Sequence, residues 1–96
     1  MDKVILRHET WNNSAYDILV KKSLLEKYYY LKEEGYSCDC DIAQNFIKKN
    51  PDFVHLCSDD LNHIESMNGY VKKWIKGLQE LGFKIVRVPK VSGGQE

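Results

Sequence analysis

Between Gly69 and Pro89 the chain reads GYVKKWIKGLQELGFKIVRVP, a lysine-rich amphipathic segment that stops at a glycine and passes at once into a basic alternating strand. Val71, Ile75, Leu78 and then Leu81 or Gly82 recur at helical spacing and form one apolar stripe, while Lys72, Lys73, Lys76 and Gln79 point elsewhere. The spacing predicts a helix over 69–81 with one face buried and the other turned toward an anion. Gly82 is its stop, because glycine takes the left-handed conformation without a steric penalty, and residues 83–88 then read as a strand. Trp74 lies beside the stripe and is expected in the core.

Ninety-six residues suffice for one modest core, so a single domain is predicted over 1–91, with the polar, glycine-rich 92–96 as a flexible tail. Basic and acidic side chains number 14 each, and only their distribution is informative. Residues 1–68 carry 8 basic and 12 acidic groups, whereas 69–96 carry 6 and 2, an arrangement that steers a polyanion to the C-terminal quarter. The start, MDKVILRHETW, lacks the apolar core and cleavage site of a signal peptide, and no run is long enough to span a bilayer, so a cytoplasmic protein without membrane contact is expected. Three cysteines, an odd number, suit a reducing compartment.

Val4, Ile5 and Leu6 predict a first strand over 3–8. From Ser14 the sequence SAYDILVKKSLLEKYYYLKEEG reads as a long helix over 14–34, with Ser14 and Asp17 in capping-box relation and Gly35 as its stop. Its apolar face is broad enough for a protein partner or a second copy. The tyrosine triplet 28–30 suits core and rim packing better than base stacking, and at least one ring belongs inside. Asp39 or Asp41 caps a short helix that ends near Asn50, ahead of Pro51, with Ile42, Phe46 and Ile47 buried. PDFVHLC is a brief extended or loop passage, and Ser58 followed by two aspartates signals the start of another helix.

Helices over 59–65 and 69–81, joined by a short turn, would form a helix-turn-helix unit. Val71, Ile75, Leu78, Gly82, Ile85, Val88 and Pro89 follow one another as in the helix-turn-helix and wing of biotin repressor type regulators, and residues 71–89 resemble that family. The resemblance implies a mainly α fold with a small antiparallel β-sheet, winged-helix-like, in which 69–81 is the recognition helix and Arg87 to Gly94 approaches a wing. The turn departs from the family pattern, having Glu65, Ser66, Met67 and Asn68 where a small residue and a serine are usual. No returning strand follows before Glu96, so residues 83–88 are expected to pair with 3–7. On this reading Asn68, Tyr70, Lys73 and Lys76 reach base edges or the groove, and Lys72, Arg87 and Lys90 take phosphates of double-stranded DNA.

The function this implies is DNA binding by a small transcription regulator of bacterial, phage or mobile-element type. The alternative is a winged-helix interaction module, or a phage-type inhibitor, that binds a host protein. Cys38, Cys40, His55, Cys57 and His63 could in principle supply a zinc site, but their spacing is not that of a common zinc module and no metal is expected. Neither an oxyanion feature nor a phosphate-binding glycine loop accompanies the cysteine and histidine residues, so neither catalysis nor a cofactor is expected.

Overall fold

A computed structural model of the chain describes residues 1–9, 14–35, 41–60 and 69–89. The order of elements is β1 (Lys3–Glu9), β2 (Ser14–Lys21), the single turn α1 (Leu25–Tyr28) between 3-10 turns at Lys22–Leu24 and Tyr29–Glu33, α2 (Asp41–Lys49), β3 (Phe53–Asp60), α3 (Tyr70–Glu80) and β4 (Lys84–Arg87). The strands form one mixed sheet in the order β3-β2-β1-β4, with β1 antiparallel to β2, β2 antiparallel to β3 and β1 parallel to β4. It follows that β1, β3 and β4 all run the same way. The mainly α, winged-helix-like fold with a small antiparallel sheet is therefore incorrect for this chain.

Three local readings change with it. Ser14–Lys21, expected to open a helix over 14–34, is a strand buried from Ser14 to Val20. A strand covered on both faces has an almost unbroken run of buried positions, so it lacks the alternation that separates strand from helix. Only short helical turns occupy the rest of that stretch, and the dimer surface assigned to a helix over 14–34 has no such helix to sit on. Gly35, expected as a helix stop, is small for another reason: a Cβ there would lie 2.9 Å from the Ser58 carbonyl oxygen. Ser58 and Asp59, expected to cap a helix, are buried in β3, which runs through Asp60, and the rest of the helix expected over 59–65 lies outside the described residues.

The strand alternation distributes the core to both faces. Ile5, Ile18, Val20, Leu56 and Cys57 meet Tyr28, Leu31, Phe83 and the α3 stripe Val71, Trp74, Ile75 and Leu78 on one side. Val4, Leu6, Leu19 and Phe53 meet Ala43, Ile42, Phe46 and Ile47 of α2 on the other, where the Phe46 and Phe53 rings pack edge to face at 5.1 Å. Tyr28 is the buried member of the tyrosine triplet, while Tyr29 and Tyr30 are exposed.

Both longer helices end as their sequences direct. In α3, Gly82 has φ 98°, its N–H donates to the Gln79 carbonyl and the Phe83 N–H donates to the Leu78 carbonyl, both at 3.0 Å. These are the two bonds of a Schellman cap, and they turn the chain straight into β4. Asp41 begins α2 and Lys48 and Lys49 end it, matching the helix dipole. Asn50 closes it with both its backbone and side-chain amides on the Phe46 carbonyl, at 2.9 and 3.0 Å, before Pro51. No described helix is long and apolar enough to cross a membrane.

Candidate functional site

A carboxyl group with no solvent exposure lies in the middle strand. Asp17 is 0% exposed on β2, on the α2 side of the sheet, and three polar side chains from the two flanking strands are built around it. The His8 Nε2 on β1 is 2.9 Å from Asp17 Oδ2, and the His55 Nε2 on β3 is 3.2 Å from Oδ1. The Ser58 hydroxyl donates to Oδ1, and His55 Nε2 is 3.0 Å from Ser58 Oγ. A buried carboxyl without partners costs several kcal/mol, on the order of the whole stability of a small domain, so this set is what lets Asp17 occupy the core.

His55 and Ser58 are three residues apart, and in a regular strand they would face opposite ways. The register between β2 and β3 shifts at Ile18 and Leu19, so that Ile18 lies opposite Cys57 but Leu19 lies opposite His55, leaving Leu56 as the extra residue. This bulge turns His55 and Ser58 to one face, at Asp17, and Leu56 and Cys57 to the other, in the α3 core. The proposed H-x-C metal pair, His55 and Cys57, is thereby split across the sheet. Burial pushes the Cys57 thiol up to about 12, with the nearby Glu34, Asp59 and Asp17 carboxyls adding to it, and a thiol of that kind stays protonated and unreactive. Among the described residues no group of three His, Cys, Asp or Glu side chains converges on a metal position. Cys38, Cys40 and His63 lie outside the described residues.

Because β1, β3 and β4 run the same way, their carboxyl ends come to one end of the sheet, which is also where β2 begins. Arg7 Nη2 lies 3.4 Å from Ser14 Oγ, whose hydroxyl donates to Glu9 Oε2 at 3.2 Å. The Arg7 Nε is buried and has no hydrogen-bond partner among the described residues. Arg7, His8 and Glu9 of β1 with Arg87, Val88 and Pro89 after β4 line a cavity of about 430 Å³. His8 therefore belongs to both the cavity wall and the buried cluster. A second, apolar cavity of about 250 Å³ shares the wall Arg87 to Pro89 and lies between α2 and β4.

Of the residues expected at DNA, Tyr70, Lys72, Lys73, Lys76 and Arg87 lie among the described ones. Lys72, Lys73 and Lys76 are exposed along α3. Tyr70 is half-buried, stacked on Trp74 at 6.4 Å, and its hydroxyl donates to the Glu34 carbonyl at 3.3 Å. Burial, with Glu34, Asp59 and Cys57 nearby, raises its pKa. Trp74 Nε1 donates to Glu34 Oε1 at 3.1 Å. Arg87 is exposed at the sheet edge, next to the polar cavity. Asn68 and Lys90 lie outside the described residues, as does the expected tail 92–96.

Sequence reasoning missed Asp17, His8 and Ser58. The signal available was an acid within an apolar run, DILV, which is costly to bury and thus marks a built site. Compared with protein-family models, with curated proteins and with solved structures, the chain finds no match.

Proposed function

We propose that the protein is a non-catalytic binding module that takes a phosphate- or carboxylate-bearing partner at the carboxyl ends of β1 and β4. The observation that carries this reading is a pair of arginines: the parallel register sets Arg7 opposite Arg87, and both line one cavity, with His8 in the same wall. Like charges placed opposite each other repel, and Glu9 in the same wall offsets only one of them. An anion seated between the guanidinium groups offsets the other and gains charge-assisted hydrogen bonds. The place is where open α/β sheets take ligands, outside the carboxyl ends of their strands.

Nucleophilic chemistry is not supported. Ser58 gives its hydrogen to Asp17, so the His55 Nε2 that lies 3.0 Å from the Ser58 oxygen meets no hydrogen to take from it. The test is a titration of isotope-labelled protein with inorganic phosphate and, separately, with acetate, followed by NMR. Saturable shifts at His8 and Arg87 with either anion, lost in Arg87→Ala, are expected. Resonances of both residues that stay fixed up to anion concentrations on the order of 10 mM reject the reading.

The burial pattern of α3 favours a second reading, in which the phosphates are those of duplex DNA. Val71, Trp74, Ile75 and Leu78 are buried while Lys72, Lys73 and Lys76 are exposed, and three cations on one outward face supply salt-dependent contacts. Replacing Lys73 and Lys76 with Glu should then abolish binding without unfolding the chain. Each single Lys→Ala should lower the salt slope by roughly 0.9. Wild-type protein that ignores duplex DNA at about 50 mM salt ends this second reading.

A further inference from the structure

We infer that the groove between α2 and β4 accepts an extended, acidic and apolar segment of a partner protein as a fifth strand of the sheet. This goes beyond anion binding at the polar cavity, with which the groove shares a wall. β4 is an edge strand. The Val88 N–H donates to the Arg7 carbonyl at 2.8 Å, so by alternation Val86 and Lys84 also turn their backbone groups toward β1, and those of Ile85 and Arg87 face outward. Backbone groups exposed along an edge are a template for another strand, and Pro89, having no N–H, ends the template.

The same alternation points Val86 and Val88 into the 250 Å³ apolar cavity, where Leu6, Ile42 and Phe46 form the rest of the apolar lining and Lys49 the rim. A strand added to β4 would place every second side chain in that cavity, so backbone pairing and pocket filling act together. Charge selects the occupant. Residues 44–49 and 84–89 carry Lys48, Lys49, Lys84 and Arg87 and no acid. A symmetric pairing of two copies through β4 would bring Lys84 and Arg87 of each onto neighbouring strands with no acid between them, and like charges so placed are destabilising. A segment with acids flanking its apolar residues meets the opposite sign at each of these positions.

A library of random octapeptides displayed on phage, panned on the full-length protein, tests this. Enriched sequences should alternate apolar residues with Asp or Glu. A synthetic peptide of the enriched sequence should slow hydrogen exchange at the Ile85 and Arg87 amides. Lys49→Glu with Lys84→Glu, both on the surface, should weaken it about three- to tenfold, as rim charges do. Ile85→Pro, which removes an outward N–H alone, should weaken it further. No enrichment, enrichment of basic sequences, or a bound peptide that leaves both amides exchanging freely overturns the inference. Phosphate titration read at His8, which lines the polar cavity and not the groove, reports on the polar cavity by itself, so failure there leaves the groove result standing, and the reverse holds.

Discussion

The two halves of β2 are equally buried and have opposite chemistry. Ile18, Leu19 and Val20 place apolar side chains into the cores on either face, under α3 and α2. Ser14 and Asp17, in the same strand, carry groups that need partners. The apolar half stabilises the fold through area removed from water, at about 25 cal/mol per Å², and no partner of particular geometry is required. The polar half contributes only if His8, His55 and Ser58 arrive in the right places, because a buried hydrogen-bonded network is at best a modest net gain and is costly when partly satisfied. The apolar half therefore holds the molecule together without directional partners, while the polar half depends on its network and lies at the end of the sheet that bears the polar cavity. That asymmetry separates scaffold from site.

Substitutions on β2 sharpen the contrast. Ile18→Ala should cost about 3 kcal/mol, since the residue is fully buried and the surrounding core cannot collapse around the missing atoms. Urea unfolding measures it, and a loss under about 1 kcal/mol would show that the apolar half is not the scaffold. Asp17→Ala should cost about 2 kcal/mol by leaving Ser58 and two imidazoles without their acceptor. Asp17→Asn, which keeps one oxygen acceptor, should cost clearly less, and equal losses from the two would mean that volume rather than hydrogen bonding matters there.

The Cys57 thiol adds a pH test of the dry side. Its folded pKa, pushed up to about 12 from an ordinary value of 9.0, means that the unfolded chain loses the proton first as pH rises. Stability from this group is complete below pH 9 and is lost between pH 9 and 12, by up to about 1.4 kcal/mol per pH unit. Cys57→Ala should flatten that decline, and a variant that keeps the wild-type slope would place the titration elsewhere, with Tyr70 and Tyr30, both also raised by burial, as the next groups to replace. The smallest stability effect is expected at the cavity. His8→Ala should cost about 1 kcal/mol or less, because Ser58 and His55 remain on Asp17, yet should remove the phosphate response. A large loss of stability with the response intact would move His8 from the site into the scaffold.

The sequence was most legible where one element specifies itself. In α3, four buried residues at helical spacing, outward lysines and a glycine stop occupy consecutive positions, and the helix forms over Tyr70–Glu80 within one residue of expectation at each end. The strands at Lys3–Glu9 and Lys84–Arg87 and the helix Asp41–Lys49 were legible for the same reason, as was the pairing of the two strands. Ser14–Lys21 was not: the spacing of Ser14 and Asp17 fits a capping box as text, and a strand covered on both faces has no period to contradict it.

The candidate site was the least legible part, since Asp17 acquires its meaning from His8, His55 and Ser58, all distant from it in the chain. Local sequence determined which segments are amphipathic, where helices stop and which lysines face water, because these depend on neighbours within a turn or two. Tertiary structure alone decided that β4 runs parallel to β1, that a bulge at Leu56 turns His55 and Ser58 to one face, and that Arg7 lies opposite Arg87. Those outcomes depend on register between distant strands, where one inserted residue reverses the face of every side chain that follows it.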